Sequence, residues 1–371
     1  MRTAAPRPAA LAVTLLLAAC HQYVDPRHYG QVRDPLPDHS PATAVQVRFL
    51  RAGGFLITRG DDVVMTPPLY TAAGLDQVAG CTGRVQSNTS AIDRELPRSW
   101  VEHTDAILVG HSHYDHLIDV PYIASRLAPQ ARVYGSATAR DLLKTADPTL
   151  DPARLVAFTD YQGRNVVDYR SCTAKPKEGC QFGSGSGEWI EQGGLRIRAL
   201  CSRHSSQFAG FKVSSQGCVA PAALRTACDW KLGDTFAYVV DFMEGGRPVF
   251  RIYYQDSPTD PEYGYPPAEV LADKSVDVAL LCAGAFDQVR DNPRGIIRHL
   301  NPRYVLLGHW ENFFRDVDKP LETLFSIDLK DLFGRLDALA TPPAGQAAWK
   351  GRYWMPAPGA LFVFETETAT P

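Results

Sequence analysis

One six-residue segment holds the densest group of potential metal ligands in the chain. Residues 111–116, the histidine loop, read His-Ser-His-Tyr-Asp-His and place three imidazoles and one carboxylate within six positions. Proteins bind zinc and other first-row divalent metals with these groups. Without a cation, four ionisable groups this close would repel one another or shift their pKa values. The chain has no Cys-x-x-Cys pair to close a structural zinc site, so the loop indicates an open site that admits water.

The elements around this loop place it at the end of a strand. Residues 105–110 form a short apolar run that closes with glycine, which predicts a buried strand. Three later apolar strands end in the same manner, at His204, Asp256 and His309. The ends of strands are where α/β sheets display their chemistry. Taken alone, His204 could be a solvated histidine and Asp256 an Asx turn, but their positions after apolar strands favour ligands.

The pattern His-x-His-x-Asp-His after a buried strand resembles the signature of the metallo-β-lactamase superfamily. The resemblance covers residues 45–365 and implies an α/β fold, the four-layer αββα sandwich. It also implies seven ligands for two divalent ions: His111, His113 and His204 for the first, Asp115, His116 and His309 for the second, and Asp256 bridging both. Ligation by His and Asp without thiolate favours zinc, with iron or manganese as alternatives.

The resemblance further implies a hydrolase in which a hydroxide bridging the two ions attacks an ester-type bond, with Asp115 and Asp256 as the catalytic carboxylates. Tyr114 and the layout around it resemble the N-acyl-phosphatidylethanolamine phospholipase D branch, which favours a phosphodiester or phospholipid substrate. Aromatic residues near the ligands could line an apolar pocket or pack in the core: Trp310, Phe313, Phe314, Tyr263 and Tyr265.

Other functions stay open on the sequence. A lactone or a carboxylic ester is the alternative substrate. The bridging Asp256 disfavours a β-lactam hydrolase, because the antibiotic-hydrolysing branches lack this carboxylate. An iron-dependent oxidoreductase and a non-catalytic metal-binding envelope lipoprotein are two further alternatives.

The N-terminal segment predicts export and lipid anchoring. Arg2 and Arg7 precede a short apolar run, and Leu17-Ala18-Ala19-Cys20 resembles a bacterial lipobox. The resemblance implies a signal peptide over residues 1–19, a lipid on Cys20 and a tether over residues 20–44. Because no aspartate follows Cys20, we expect an outer-membrane protein of the bacterial envelope, facing the periplasm. The membrane is then a partner through the lipidated Cys20.

The composition is that of an ordinary globular chain; the length would allow two domains, and the resemblance implies one domain over residues 45–371. The chain has 371 residues, of which 45% are hydrophobic and 21% charged, and its net charge is −3. With no basic stripe, nucleic acid is not an expected partner; a small molecule or a lipid is the expected substrate, and the oligomeric state is undetermined.

Cysteines mark two predicted inserts, near residues 160–192 and 205–234. Oxidising conditions after export allow local disulfides, Cys172 with Cys180 and Cys218 with Cys228, although spacing does not fix the connectivity. Cys282 lies in an apolar strand and is predicted to be a buried thiol. We also expect an irregular loop over residues 69–100 beside the site, and a helix to about Leu127 capped by Asp119.

Overall fold

The computed structural model describes residues 43–158, 187–206, 217–261 and 263–366. Two mixed seven-stranded sheets pack face to face, and helices cover their outer faces. This arrangement confirms the predicted α/β fold, a four-layer αββα sandwich. The predicted signal peptide, most of the tether and the Cys172–Cys180 pair lie outside the described residues. Within the described ranges, no helix has the length and apolar character needed to cross a bilayer.

The first sheet precedes and follows the histidine loop in the chain. Its strands are β1 (Val45–Arg51), β2 (Gly54–Arg59), β3 (Asp62–Met65), β4 (Ala106–Leu108), β5 (Arg132–Gly135), β6 (Leu155–Ala157) and β14 (Leu361–Phe364), in the order β14-β1-β2-β3-β4-β5-β6. Alternate residues point to opposite faces. Val64 therefore joins the core between the sheets, whereas Val63 and Met65 pack with residues of the outer helices.

The second sheet carries the three later ligand positions. Its strands are β7 (Ile190–Gln192), β8 (Leu195–Ser202), β9 (Thr235–Glu244), β10 (Arg247–Gln255), β11 (Val278–Cys282), β12 (Tyr304–Gly308) and β13 (Arg352–Trp354), in the order β13-β12-β11-β10-β9-β8-β7. β8 and β10 both run antiparallel to β9, and β12 continues the parallel part of the sheet. The ends of β8, β10 and β12 therefore lie along the same edge of the sheet.

Most helices are short and depend on packing. They are α1 (Leu75–Gly80), α2 (Thr89–Glu95), α3 (Arg98–Val101), α4 (Tyr114–Leu117), α5 (Val120–Tyr122, continued by a π-helical turn, Ile123–Leu127), α6 (Ala137–Ala146), α7 (Ala268–Asp273), α8 (Arg294–Leu300) and α9 (Leu329–Ala340). Single 3₁₀ turns span Pro152–Arg154, Ala227–Asp229 and Phe286–Gln288. As predicted, Ser136 caps α6: its side chain accepts a hydrogen bond from the Ala139 amide.

Three expectations about local structure were wrong. The segment 69–100 contains α1, α2 and α3 rather than an irregular loop. Asp119 makes no cap hydrogen bond, because its carboxylate instead accepts bonds from Tyr70 N, Thr71 N and Ser87 Oγ. Cys228 forms its disulfide with Cys81, which lies 147 residues away in sequence, so the pairing with Cys218 is excluded. Local spacing misled here because the fold brings distant segments together.

The remaining described cysteines are accounted for. Cys282 is a buried free thiol, as predicted, and Cys201 is also buried and forms no disulfide. Cys218 takes part in a disulfide of its own.

Candidate metal centre

Backbone hydrogen bonds fix the histidine loop between the two sheets. Val109 N donates to Tyr134 O of β5 at 2.9 Å, and Ser112 N donates to Leu232 O at 3.0 Å. Phe236 N, in β9 of the second sheet, donates to Gly110 O at 2.7 Å. The imidazoles of the loop are almost wholly buried as a result.

Three histidines meet on one side of the loop. His111, His113 and His204 each offer a ring nitrogen, and the three nitrogens lie within 4.8 Å of one another. Their rings pack edge to face, with centroids 4.6–4.8 Å apart. The end of β8 thus delivers His204 to the two histidines that follow β4.

A second group closes the other side of the site. Asp115 Oδ2 lies 3.5 Å from His116 Nε2 and 3.2 Å from His309 Nε2, and the two nitrogens are 3.1 Å apart. Ligands of a tetrahedral zinc with Zn–N distances near 2.05 Å would stand about 3.3 Å from one another. Three donor atoms at 3.1–3.5 Å match this spacing. His309 adopts a left-handed backbone (φ 56°) and donates its amide to Ala52 O at 2.7 Å.

Asp256 lies between the two groups. Its Oδ2 accepts a hydrogen bond from His111 N at 3.1 Å, and lies 3.0 Å from His111 Nδ1 and 3.7 Å from His116 Nδ1. Its Oδ1 is buried without a hydrogen-bond partner. The structure therefore brings all seven predicted ligands together, five histidines and two aspartates.

Burial lowers the pKa values of two histidines in the cluster, whereas at His309 the hydrogen bond with Asp115 outweighs burial and raises the pKa. Desolvation lowers the pKa of His116 to about 3 and that of His111 well below its usual value. Burial also acts on Asp115, but the nearby His116 and the hydrogen bond from His309 outweigh it and hold the Asp115 pKa well below its usual range. Neutral imidazoles and an ionised carboxylate are the forms that bind metal.

The unpaired atoms test whether a metal fits. His111 Nε2, His309 Nδ1 and Asp256 Oδ1 are buried and make no hydrogen bond. Buried polar atoms are normally satisfied, and each exception calls for an explanation. For His111 Nε2 and Asp256 Oδ1, a cation held among these side chains would supply the missing partner. The donor set, entirely nitrogen and oxygen, suits zinc, iron or manganese.

A cleft of about 130 Å³ opens above the ligands. His116, Asp256 and His309 are part of its floor, and Tyr114 and Cys282 reach it. Its upper walls are apolar and comprise Leu75, Val78, Phe313, Phe314, Leu324 and Phe325.

The aromatic residues expected around the site divide into two sets. Phe313 and Phe314 line the cleft. Trp310 is buried in the core and donates Nε1–H to Pro356 O at 2.9 Å. Tyr263 packs against the Arg203 guanidinium at 3.5 Å, and Tyr265 packs against His299.

Two serines of the site were missed in the sequence. Ser205 and Ser257 both line the cleft, and their hydroxyl oxygens are 3.4 Å apart. Ser205 N donates to Ser257 Oγ at 3.1 Å. Each serine directly follows a ligand, His204 or Asp256, and this adjacency was the available signal.

Among the comparisons with known proteins, only the search of solved structures gave matches. No protein-family model matches the sequence, and no curated protein matches it. Similar solved structures include Igni18, a metallo hydrolase from Ignicoccus hospitalis, with 14% identity, coverage of 88% of this chain and 100% of that chain, and a TM-score of 0.45. The metallo-beta-lactamase fold protein YhfI from Bacillus subtilis has 12% identity, coverage of 86% and 99%, and a TM-score of 0.45. An isothiocyanate hydrolase from Delia radicum gut bacteria has 12% identity, coverage of 87% and 100%, and a TM-score of 0.47.

The chain folds as a four-layer αββα sandwich. A fold alone does not define an activity, which depends on the residues of the site.

Proposed function

We propose that this protein is a metal-dependent hydrolase that cleaves an ester-type bond, with a phosphodiester of a phospholipid as the favoured substrate. One observation carries the proposal: seven His and Asp side chains, five of them buried and two partly buried, converge at and beneath the floor of a cleft whose upper walls are apolar. A site of this kind combines side chains that can bind a catalytic metal with a surface that can bind an apolar group of the substrate.

The proposed ligand set would hold two divalent ions. His111, His113 and His204 would hold one, Asp115, His116 and His309 the other, and Asp256 would contact both. Bound ions of this type lower the pKa of water to about 7 and polarise the oxygen of the substrate. We propose zinc, with iron or manganese as outcomes that metal analysis distinguishes.

The side chains of the chain itself orient the reaction centre. Asp256 Oδ2 lies 3.0 Å from His111 Nδ1 and so sets the direction of that ring. Asp115 accepts a hydrogen bond from His309 and fixes the imidazole from the second sheet. These contacts between neighbouring proposed ligands restrict the orientation of both rings.

The two serine hydroxyls suit the polar part of an ester. Ser257 Oγ accepts the Ser205 amide, and the two hydroxyls share a hydrogen bond in which either oxygen can be the donor. Two hydroxyls 3.4 Å apart beside His204 and Asp256 can both contact oxygens of one phosphoryl or carboxyl group. The apolar walls would exclude water from the other end of the substrate.

The proposed location agrees with such a substrate. A lipid on Cys20 would hold the enzyme at the outer membrane, facing the periplasm and next to phospholipid. This part of the proposal rests on the sequence, and radiolabelled palmitate incorporation that is lost in Cys20→Ser would test it.

Metal analysis and a substrate panel test the hydrolase proposal. We expect about two zinc ions per chain and turnover of a bis-aryl phosphodiester, with aryl ester, lactone and β-lactam substrates as comparisons. His113→Ala should lower kcat/KM at least about 100-fold, because it removes a metal ligand. His103→Ala is the matched control, since the His103 side chain is 78% exposed and lies outside the site.

Each other result redirects the proposal. Turnover of a lactone or carboxylic ester alone would keep the hydrolase and replace the phosphodiester. Iron in the purified protein, with oxygen consumption and no hydrolysis, would replace the hydrolase by an oxidoreductase. Failure to bind any divalent ion after reconstitution would reject the metal centre.

A further inference from the structure

The two walls of the cleft are built in different ways. The first wall comprises Phe313, Phe314 and Phe325, on the loop that directly follows the ligand His309. Phe313 packs edge-on against His309, with ring centroids 4.8 Å apart, and Phe314 packs on Phe313 at 4.5 Å. Backbone hydrogen bonds tie the two arms of this loop together: Asn312 N donates to Glu322 O, and Leu324 N to Trp310 O, both at 2.8 Å. This wall is therefore continuous with the ligand set.

The opposite wall is a helix of only six residues, α1, which contributes Leu75 and Val78. Helices this short are not stable on their own. A disulfide lies directly at its end: Cys81 is the C-cap residue of α1 and is bonded to Cys228. Cys228 Sγ also lies 3.5 Å from Val78 O.

The segment that receives this disulfide is fixed to the histidine loop. Leu232 O accepts the Ser112 amide at 3.0 Å, four residues after Cys228. A second bond, from Val85 N to Arg225 O at 2.8 Å, joins the same two segments. The disulfide therefore helps to fix α1 relative to the metal ligands, together with this hydrogen bond and the contacts of Asp119 to the segments on either side of α1.

We propose that α1, held by the Cys81–Cys228 disulfide, is the acyl-binding wall of the cleft and makes the enzyme select substrates with a long alkyl chain. The proposal rests on the proposed hydrolase function. The occupant is the apolar chain of the substrate, because the groove between α1 and the phenylalanines is continuous with the ligand floor where the scissile group would lie. Leu75, Val78 and the phenylalanines can remove several methylene groups from water, and each buried methylene strengthens binding.

Chain-length selectivity is the measurement. We would determine kcat/KM for 4-nitrophenyl methyl phosphate and 4-nitrophenyl octyl phosphate, with 4-nitrophenyl acetate and octanoate as the ester pair. In the wild type, we expect the octyl substrate to exceed the methyl one at least about tenfold. Cys81→Ser/Cys228→Ser and, with the disulfide intact, Val78→Ser should each reduce this ratio at least about fivefold, mainly through KM of the long substrate.

Val219→Ser is the matched control for Val78→Ser. It makes the same chemical change at a residue that is 78% exposed and lies outside the cleft, so the ratio should not change. Circular dichroism would establish that each variant is folded. Val78→Ser keeps the proposal testable if the double cysteine variant does not fold. A wild-type ratio near one, or an unchanged ratio in folded Val78→Ser, would overturn the proposal.

A binding assay separates this proposal from the hydrolase proposal. Calorimetric titration of decanoate and of acetate into His113→Ala measures how strongly the cleft binds an alkyl chain in the absence of catalysis. Decanoate should bind, acetate should not, and Val78→Ser added to His113→Ala should weaken decanoate at least about fivefold. If the wild type hydrolyses nothing, the hydrolase proposal fails, but this titration still tests whether α1 binds an alkyl chain. No decanoate binding, or decanoate binding that Val78→Ser leaves unchanged, would reject α1 as the acyl-binding wall.

Discussion

Gly110 leaves the space into which the Asp256 carboxylate fits beside the histidine loop. A Cβ atom at residue 110 would lie 2.2 Å from Asp256 Oδ2, far inside van der Waals contact. Gly53 has a related role, because a Cβ there would approach His116 Nδ1 and the Tyr254 hydroxyl, each to 2.9 Å. Because both glycines lack a side chain, they leave room for residues from the two sheets to approach one another at the site.

The Gly110 position gives a sharp test of the site. We expect Gly110→Ala to displace the Asp256 carboxylate and to weaken metal binding at least about tenfold. A loss of this size is typical when the groups that surround a metal site are disturbed. The measurement is competitive zinc titration against a chromogenic chelator. Gly334→Ala is the matched control: it lies in α9 with no atom within 4 Å of the added Cβ, and alanine should stabilise that helix by about 0.5–1 kcal/mol. Equal zinc affinity in Gly110→Ala and wild type would contradict this account of Asp256.

The strands that deliver ligands could be read from the sequence, and the helices between them largely could not. Apolar runs such as Tyr304–Gly308 are buried on both faces and leave an unambiguous signal. α1, α2 and α3 are four to seven residues long and show no periodic pattern. Their stability comes from contacts with distant segments, which local sequence does not encode.

Asp119 is the main example of such a contact. Its carboxylate is buried immediately after α4 and accepts hydrogen bonds from Tyr70 N at 2.7 Å, Thr71 N at 3.0 Å and Ser87 Oγ at 2.9 Å, and from Thr71 Oγ1. It thereby ties the segment on either side of α1 to the helix that carries Asp115 and His116. A sequence rule for helix caps assigned it the wrong partner, because the donors lie 32–49 residues earlier.

Removing this carboxylate should be costly. Asp119→Ala leaves several buried donors without an acceptor, and we expect it to lower the free energy of unfolding by about 3 kcal/mol or more. Asp119→Asn retains one acceptor oxygen and should lose less. Urea denaturation followed by circular dichroism measures both, with the exposed Asp318→Ala as control. A loss below about 1 kcal/mol in Asp119→Ala would mean that the segment is held by other contacts.

The proposed metal centre spans the two sheets of the molecule. The histidine loop follows β4 of the first sheet, whereas His204, Asp256 and His309 follow β8, β10 and β12 of the second. Hydrogen bonds near the site already join the sheets: Tyr238 Oη donates to Val109 O at 2.6 Å, and Tyr254 Oη donates to Gly53 O at 3.0 Å. The sequence predicted four strand ends with ligands, but the inter-sheet bonds and the tight glycines depend on packing that only the folded chain shows.

Metal ions bound across the two sheets should therefore stabilise the whole domain. A ligand that binds only the folded state adds about 4 kcal/mol when its free concentration is a thousand times Kd. We expect removal of metal with EDTA to lower Tm by several degrees, and zinc to restore it. His309→Ala removes a ligand of the second sheet and should show a smaller zinc-dependent rise, whereas His103→Ala should behave as the wild type. Scanning calorimetry measures the shift, and the same Tm with and without zinc in the wild type would argue against ions that bridge the sheets.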